Sequence, residues 1–398
     1  MSGRVLIALV AISVCSCALR DSFSSDPRQA VGARCARGAD GERVCLEARV
    51  DCPAGAAACE PAIADPVGQL RDLDPSGSLV HFEAGAMATV SRANHFQSVQ
   101  RLQGAGPARF VVTRETDQRD ETDIGLVESS GAGERVARAF DTGTPYTHAG
   151  GSQRVGRVLV VPLERGPGGS AVRFYDFSAP SQPRLVAALE HRDGNGTLLS
   201  EAGAAGMAQL GDGRYLLVVG THHSRRLDFY LSQRDDLTGW RYLDRWDPGE
   251  LASAIGDRTF GAHQSLQLIA GDDGVLYLLG SHRAFFHRDW LELHALGVRR
   301  AADGHLDVCL TKVGKKHLDC RGGAADRCNL DAGTGVFIDG DRRLRIYATG
   351  FAAARAAFRA PGGQAAVNMV EFVSRGAAGS RAARDTATAQ RPGTSPRR

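Results

Sequence analysis

The sequence predicts an all-β fold: a five-bladed β-propeller of four-stranded antiparallel blades, carried behind an N-terminal Cys-rich tether. Three observations predict it. Gln100, Gln153, Gln209 and Gln267 occupy the same step of a repeating pattern, and Gly335-Val336-Phe337 is a fifth copy that lacks the glutamine. Successive anchors stand 53, 56, 58 and 70 residues apart, the length of one propeller blade and longer than one turn of most β-helices. Behind each anchor come two further apolar runs divided by turn clusters such as Gly211-Asp212-Gly213, which are strand and hairpin signals.

The N-terminus comes first. Arg4 precedes the apolar run Val5 to Val14, too short to span a bilayer and shaped like the apolar region of a secretory signal. The run ends in Val14-Cys15-Ser16-Cys17, which resembles the lipobox of bacterial lipoproteins, with Cys15 where Ala, Ser or Thr is usual. That resemblance implies a signal peptide over 1–17, lipidation of Cys17 and a chain anchored in the cell envelope, at the outer membrane or in the periplasm. Without use of the lipobox the product is secreted.

Residues 18–66 read as the tether. Export makes Cys35, Cys45, Cys52 and Cys59, and the second group Cys309, Cys320 and Cys328, disulfide candidates. Closely spaced Cys-x-x-Cys pairs are absent, so a zinc knuckle is not expected.

The propeller spans 67–375. Second strands are placed at Phe110 to Val112, Val158 to Val161, Tyr215 to Val219, Val275 to Leu279 and Leu344 to Ala348. They are apolar on both faces, as strands sandwiched between neighbouring blades must be. Third strands fall at Ile124 to Glu128, Val172 to Phe177, Leu227 to Leu231, Trp290 to Leu296 and Met369 to Val373, and fourth strands at Arg184 to Leu189, Trp240 to Trp246 and Leu306 to Thr311. Nothing comparable follows Val373, so Leu79 to Phe82 is the natural outer strand of the last blade. The stretch 172–186 resembles the LVIVD-type repeat of bacterial surface propellers, in which a strand ends in an Asp/Ser-x-Pro turn and resumes on Pro-x-Leu-Val. Residues 376–398 have neither periodicity nor apolar content and read as a disordered Arg-rich tail.

The formal net charge is +3, and six arginines against Asp385 from Arg375 onward leave the body slightly acidic. A nucleic-acid partner, which needs a basic face on the folded domain, is therefore not expected. No P-loop, His-Glu-x-x-His, Gly-x-Ser-x-Gly or dinucleotide-binding pattern occurs. Asp72, Asp74, Ser76, Gly77 and Glu83 have the spacing of a calcium loop, but the same residues make a turn into a strand, and that is the reading adopted. The Asp193-to-Thr197 segment reads as a loop between blades.

The histidines carry the chemistry. His95, His148 and His263 each fall just before a repeat anchor, and His222, His223, His282 and His287 follow Gly220 or Gly280. Both connections open on one end of a propeller, so seven of the twelve histidines are expected there, joined by Arg114, Arg225, Arg226, Arg283, Tyr146, Glu201 and Asp331. Imidazole is the commonest metal ligand and a base near neutral pH. The ligand-binding set is then His95, His148, His263, His222, His223, His282, Arg283 and Asp331, with His95, His148 and His263 as ligands of a divalent metal at the propeller mouth. The function expected is a membrane-anchored binding protein presenting this face to a glycan, peptide or protein. The alternative is a metal-dependent hydrolase or other enzyme at the same mouth.

Overall fold

The computed structural model describes residues 22–23, 42–44, 46–52, 59–83, 85–87, 95–103, 107–115, 123–130, 133–143, 145–165, 168–247, 263–284, 288–300, 306–321, 326–350 and 366–375. Cys17, Cys35, Cys45, His287, the signal segment and the Arg-rich tail lie outside them. Among the described residues no helix is long and apolar enough to cross a membrane.

The fold is all-β, as expected. Strands β1 (Ser22–Phe23) and β2 (Glu42–Val44), helix α1 (Pro66–Arg71) and strand β3 (Ser78–Glu83) come first. A first meander follows in β4 (Phe96–Arg101), β5 (Phe110–Arg114), β6 (Asp123–Ser130) and β7 (Gly133–Asp141). The second has β8 (His148–Ala149) and β9 (Gln153–Val155) side by side along β10 (Val158–Glu164), then β11 (Ser170–Asp176) and β12 (Arg184–Glu190). The third is β13 (Ala204–Gln209), β14 (Tyr215–Gly220), β15 (Leu227–Ser232) and β16 (Trp240–Trp246). The fourth is β17 (Ser265–Ala270), β18 (Leu276–Ala284), β19 (Arg288–Arg300) and β20 (Leu306–Leu318), with β1 on the edge of β20 and β2 on β19. The chain ends in β21 (Thr334–Ile338), β22 (Leu344–Thr349) and β23 (Ala366–Val373), and β3 pairs antiparallel with β23 through Leu79 and Val370.

The expectation of separate four-stranded blades throughout needs a correction. The pairing gives sheets of six, five and four strands and one closed ring of eight, β21-β22-β23-β3-β7-β6-β5-β4. Two short parallel contacts close the ring, Thr334 against Ser98 and Phe82–Glu83 against Glu134–Arg135. At the first of them the physical reason is close approach: a Cβ on Gly335 would stand 1.7 Å from the Val99 carbonyl oxygen, so only glycine lets β21 and β4 meet.

Second strands are buried along nearly their whole length, as in β14, whereas the outer β12 is largely exposed. The apolar core divides into five clusters. Each joins two successive meanders, and the cluster around Phe82, Phe96 and Tyr347 joins the last to the first. The repeat glutamines lie on β4, β9, β13 and β17. Gln100 Nε2 donates to the Ser152 carbonyl at 2.7 Å and Gln153 Nε2 to the Leu268 carbonyl at 2.8 Å, while Gln153 Oε1 accepts from Met207 N at 2.8 Å and Leu268 N at 2.9 Å. Gln267 Nε2 donates to Ser152 O at 3.0 Å. These bonds satisfy backbone groups that the short inner strands leave open.

A register shift recurs between the third and fourth strands of four sheets, at Leu126/Val127, Phe174/Tyr175, Phe229/Tyr230 and Leu293/His294. Bulges re-aim side chains, and the last of them falls beside the site described next.

The segment expected to be a tether lies in part against the sheets. Ala48 bridges Leu210, and Ile63 bridges Gly271. Cys52 is bonded to Cys59 and Cys320 to Cys328. Beside Cys59, Glu60 pairs with the fully buried guanidinium of Arg154, and burial raises the Glu60 carboxyl to about 7 despite that charge. At the calcium-like segment, Asp72 closes α1 and Asp74 Oδ1 accepts from Ser76 N at 3.0 Å, an Asx turn leading into β3.

Candidate metal centre

One face of the fourth meander changes character halfway along. Directly paired residues in antiparallel strands share a face. Leu276 opposes Leu296, and Leu296 opposes Leu310, and these aliphatic residues pack against Leu216, Val218 and Phe229 of the third meander. Further along the same face stand Gly280 opposite Glu292, His282 opposite Trp290, and then Lys315 and His317 of β20 opposite Glu292 and Trp290. His294 opposite Leu278 and Lys312 opposite His294 stand on it too, and the register shift at Leu293/His294 is what puts Lys315 and His317 on the same face as Lys312.

Gly280 makes the centre possible. A Cβ there would lie 2.6 Å from Cγ and Nδ1 of His263, so the bare backbone is what lets the His263 ring lie on the sheet. His263 stands just before β17, where the Gln264 N–H donates to Ser281 O at 2.9 Å and Ser224 Oγ donates to the His263 carbonyl at 2.8 Å. Its ring centroid is 5.2 Å from that of His282 and 6.1 Å from that of His294, both edge-on.

Glu292 lies at the middle. Its Oε2 is 3.5 Å from His263 Nε2, while Oε1 receives Lys312 Nζ at 2.8 Å and Lys315 Nζ at 3.3 Å. His263, His282, Glu292 and His294 are all at most 1% exposed. The ligand atoms of His263, His282 and Glu292 lie within 4.8 Å of one another, the one such group of three or more among the described residues.

Burial pushes the Glu292 carboxyl up, but His263, Lys312, His282 and His294 outweigh it and hold the group well below the usual carboxylate range. Burial holds His263 well below the ordinary imidazole value, with the neighbouring His282, His294 and Lys312 acting in the same direction against the pull of Glu292. An ionised carboxylate and a neutral imidazole are the forms a metal ion requires. Two histidines and a carboxylate are also a donor set of catalytic zinc sites that keep a position open for water or substrate.

The expected triad of metal ligands is corrected accordingly. His263 meets His282 and Glu292, whereas His95 and His148 meet Glu115: His95 Nδ1 is 3.6 Å from one of its oxygens and His148 Nδ1 3.6 Å from the other. Gln97 Nε2 lies 2.9 Å from His95 Nε2. Burial lowers the His148 pKa, but hydrogen bonding to Glu115 and the charges of Glu164 and Glu115 outweigh it and leave the group raised.

Of the remaining expected residues, Arg283 and Asp331 serve the scaffold. Arg283 forks onto Asp289 with two bonds of 2.9 Å, donates to Asp326 at 2.6 Å, and gives its backbone N–H to Asp331 Oδ1 at 2.7 Å. This network fixes the end of β18 that carries His282. Burial raises the Asp331 carboxyl to about 6. His222 and His223 lie in a 3-10 turn, His223 with φ 55° and its Nδ1 2.5 Å from Gln264 Nε2. Arg114 pairs with Asp123, Arg226 with Asp228, Arg173 lies over the Tyr146 ring at 4.8 Å, and Arg225 and Glu201 are exposed.

Sequence reasoning missed Glu292, His294, Glu115 and a further buried histidine, His191. A signal for two of them was present: Trp290-Leu291-Glu292-Leu293-His294 alternates ionisable or polar-tipped side chains with leucine inside a run read as a third strand.

No family model matches this chain, and no curated protein matches it at a significant level. Solved structures do resemble it. A Bombyx mori GH32 beta-fructofuranosidase is 12% identical with a TM-score of 0.43 over 77% of this chain and 64% of that one, so the chain spans less than two thirds of that protein's length. An alpha-L-arabinofuranosidase from Podospora anserina is 7% identical with a TM-score of 0.41 over 75% and 98% of the two chains. A neuraminidase-like protein of a flat-faced bat influenza virus from Peru is 9% identical with a TM-score of 0.37 over 81% and 98%. The expectation of a binding protein that presents a His-rich face to its ligand is corrected here: the histidines that converge, His263, His282 and His294, are buried rather than presented.

Proposed function

We propose that this chain is an exported, metal-dependent hydrolase, a five-bladed β-propeller held at the cell envelope through a lipidated Cys17, with its active centre at His263, His282 and Glu292. The blade count treats the eight-stranded ring as two meanders touching at their edges, and the five core clusters between successive meanders support it. The observation that carries the activity is the convergence of three ligand atoms within 4.8 Å in a buried setting.

Each neighbour has a part. Lys312 and Lys315 hold Oε1 of Glu292, which leaves Oε2 turned toward His263 as the metal-facing oxygen. The Arg283 network keeps His282 in place through the backbone of β18. A divalent ion bound there would polarise water or a substrate carbonyl or phosphoryl oxygen, chemistry that needs no carboxylate pair. A paired-carboxylate glycosidase mechanism finds little support, because the acids at inner-strand starts among the described residues are Glu201, which is exposed, and Asp331, which accepts the Arg283 N–H.

Elemental analysis of untagged protein tests the reading. One zinc, manganese or other divalent ion per chain is expected in the wild type, and loss of that ion together with hydrolytic activity on glycoside, ester or peptide substrates in Glu292→Gln and His282→Ala. A wild type that takes up no divalent ion on titration would refute it.

A further inference from the structure

At the other end of the sheets, where the first-to-second strand hairpins turn, lies a cavity of about 560 Å³. Pockets for small ligands span roughly 300–1,000 Å³. Its wall comes from three successive meanders: Leu102 and Arg109 of the first, Arg157 and Phe177 of the second, Phe337 and Ile338 of the last. None of these residues belongs to the histidine cluster, so the cavity is independent of the proposed metal centre.

The wall is mostly apolar and its charges are one-sided. Arg109 makes no side-chain hydrogen bond or ion pair among the described residues, and Arg157 is half exposed and 3.6 Å from Asp176. Asp339 also lines the space, but its Oδ2 accepts from Arg343 at 3.2 Å and Arg345 at 3.0 Å, and its Oδ1 from the backbone of Asp341 and Arg343. Its charge is therefore spent within its own hairpin. The wall is also rigidly held: Gln103 Nε2 donates to Glu60 Oε2 at 2.8 Å, and the guanidinium of Arg101 lies over the Phe337 ring at 4.7 Å. A guanidinium with no counter-charge among the described residues, lining a mostly apolar cavity together with Phe177 and Phe337, matches a ligand with a carboxylate on an apolar ring.

We propose that this cavity binds a small organic anion, a carboxylate carried on an apolar, ring-bearing body, with Arg109 as the group that recognises the charge and Phe177 and Phe337 as the walls that recognise the body. The probe is sodium benzoate, with benzyl alcohol as the uncharged analogue and inorganic phosphate as the bare anion, followed by titration calorimetry and amide chemical shifts on the full chain. Saturable benzoate binding is expected, weakened about tenfold or more for benzyl alcohol, for phosphate and for Arg109→Ala. Arg109→Lys should retain part of it, and His263→Ala should bind benzoate as the wild type does. Since Arg109 is partly exposed, its replacement leaves the fold intact, which unchanged circular dichroism would verify. No saturable binding of benzoate, equal binding of phosphate, or undiminished binding by Arg109→Ala would each overturn the proposal.

Discussion

Two places among the described residues bury a histidine against a carboxylate, and they use the pair in opposite ways. In the third meander His191 and Asp228 are both fully buried, with Nε2 3.1 Å from Oδ2. Ser170 Oγ stands 3.1 Å from His191 Nδ1, so the three side chains have the connectivity of a Ser-His-Asp triad. Every atom is nonetheless committed. His191 Nδ1 faces the Glu201 carbonyl at 2.8 Å, Ser170 Oγ donates to the Leu199 carbonyl at 2.8 Å, and Asp228 accepts from Arg226 at 3.0 Å, Arg245 at 3.1 Å and Tyr242 at 3.3 Å. Partners drawn from several chain segments converge on these side chains and tie them together. In the fourth meander the direction is reversed: His263, His282 and Glu292 converge on one another, and their neighbours are other ionisable side chains. Proximity of catalytic residue types is therefore no guide by itself. What separates the two regions is whether the polar tips end on the backbone and on arginine, or on a shared point.

Substitution should break the comparison most sharply at Asp228. Asp228→Ala leaves His191 and two arginines without their carboxylate, a loss of about 3–5 kcal/mol by analogy with other disrupted buried ion pairs. Urea unfolding measures it, and the metal content of the fraction that remains folded should be unchanged. At the other region the order inverts. Glu292→Gln is nearly isosteric and should abolish stoichiometric metal binding in a calorimetric titration while lowering stability less than Asp228→Ala does.

Lys312→Ala ranks below these. A residue that positions a ligand changes metal affinity by about 10–100-fold, and a competition assay with a chelator would read it. If affinity rises instead, Lys312 competes with the metal for Glu292.

Acid sharpens the contrast by window. His263 has a folded pKa below its ordinary 6.5, so the unfolded chain takes up a proton that the folded one refuses, and stability falls as pH drops below about 6.5. For Asp228, burial raises the pKa but His191 and the arginines lower it further, so its contribution is present above 3.8 and is lost only as pH falls through its depressed folded value. Two separate acid steps in a melting-temperature profile are expected, the upper one missing in His263→Ala and the lower one in Asp228→Asn.

The smallest effect is reserved for His148→Ala. With His95 and His148 assigned to Glu115 rather than to the metal, metal stoichiometry should remain at the wild-type value and stability should fall by less than about 2 kcal/mol. Loss of the ion in this variant would restore the arrangement in which His95, His148 and His263 share a ligand.

The sequence made the strands legible because β-branched and aromatic runs between Gly/Asp turns leave little choice of element, and Leu79 to Phe82 was readable from its position alone as the outer strand beside the last one, which it meets at Val367 to Val370. The ring of eight strands was not legible, since it depends on how closely Gly335 and Val99 approach, which no periodicity encodes. His263 and His282 were singled out for their place beside strand ends. Their partner Glu292 escaped because it sits in mid-strand, opposite a glycine, and only the cross-strand register reveals that the glycine leaves room for a ring from another segment.

The repeat glutamines have one more consequence. Four residues in equivalent positions make four different sets of bonds: Gln100 reaches Ser152, Gln153 spans Leu268 and Met207, Gln267 returns to Ser152, and Gln209 turns instead to the Gly213 carbonyl and the Tyr215 hydroxyl. The repeats are thus alike in sequence and individual in address, three keyed to neighbours in other meanders and Gln209 to its own hairpin. Exchanging two of them, or splicing in a duplicate as a sixth, would leave keys without locks, so this architecture cannot lengthen by the simple unit duplication open to a solenoid.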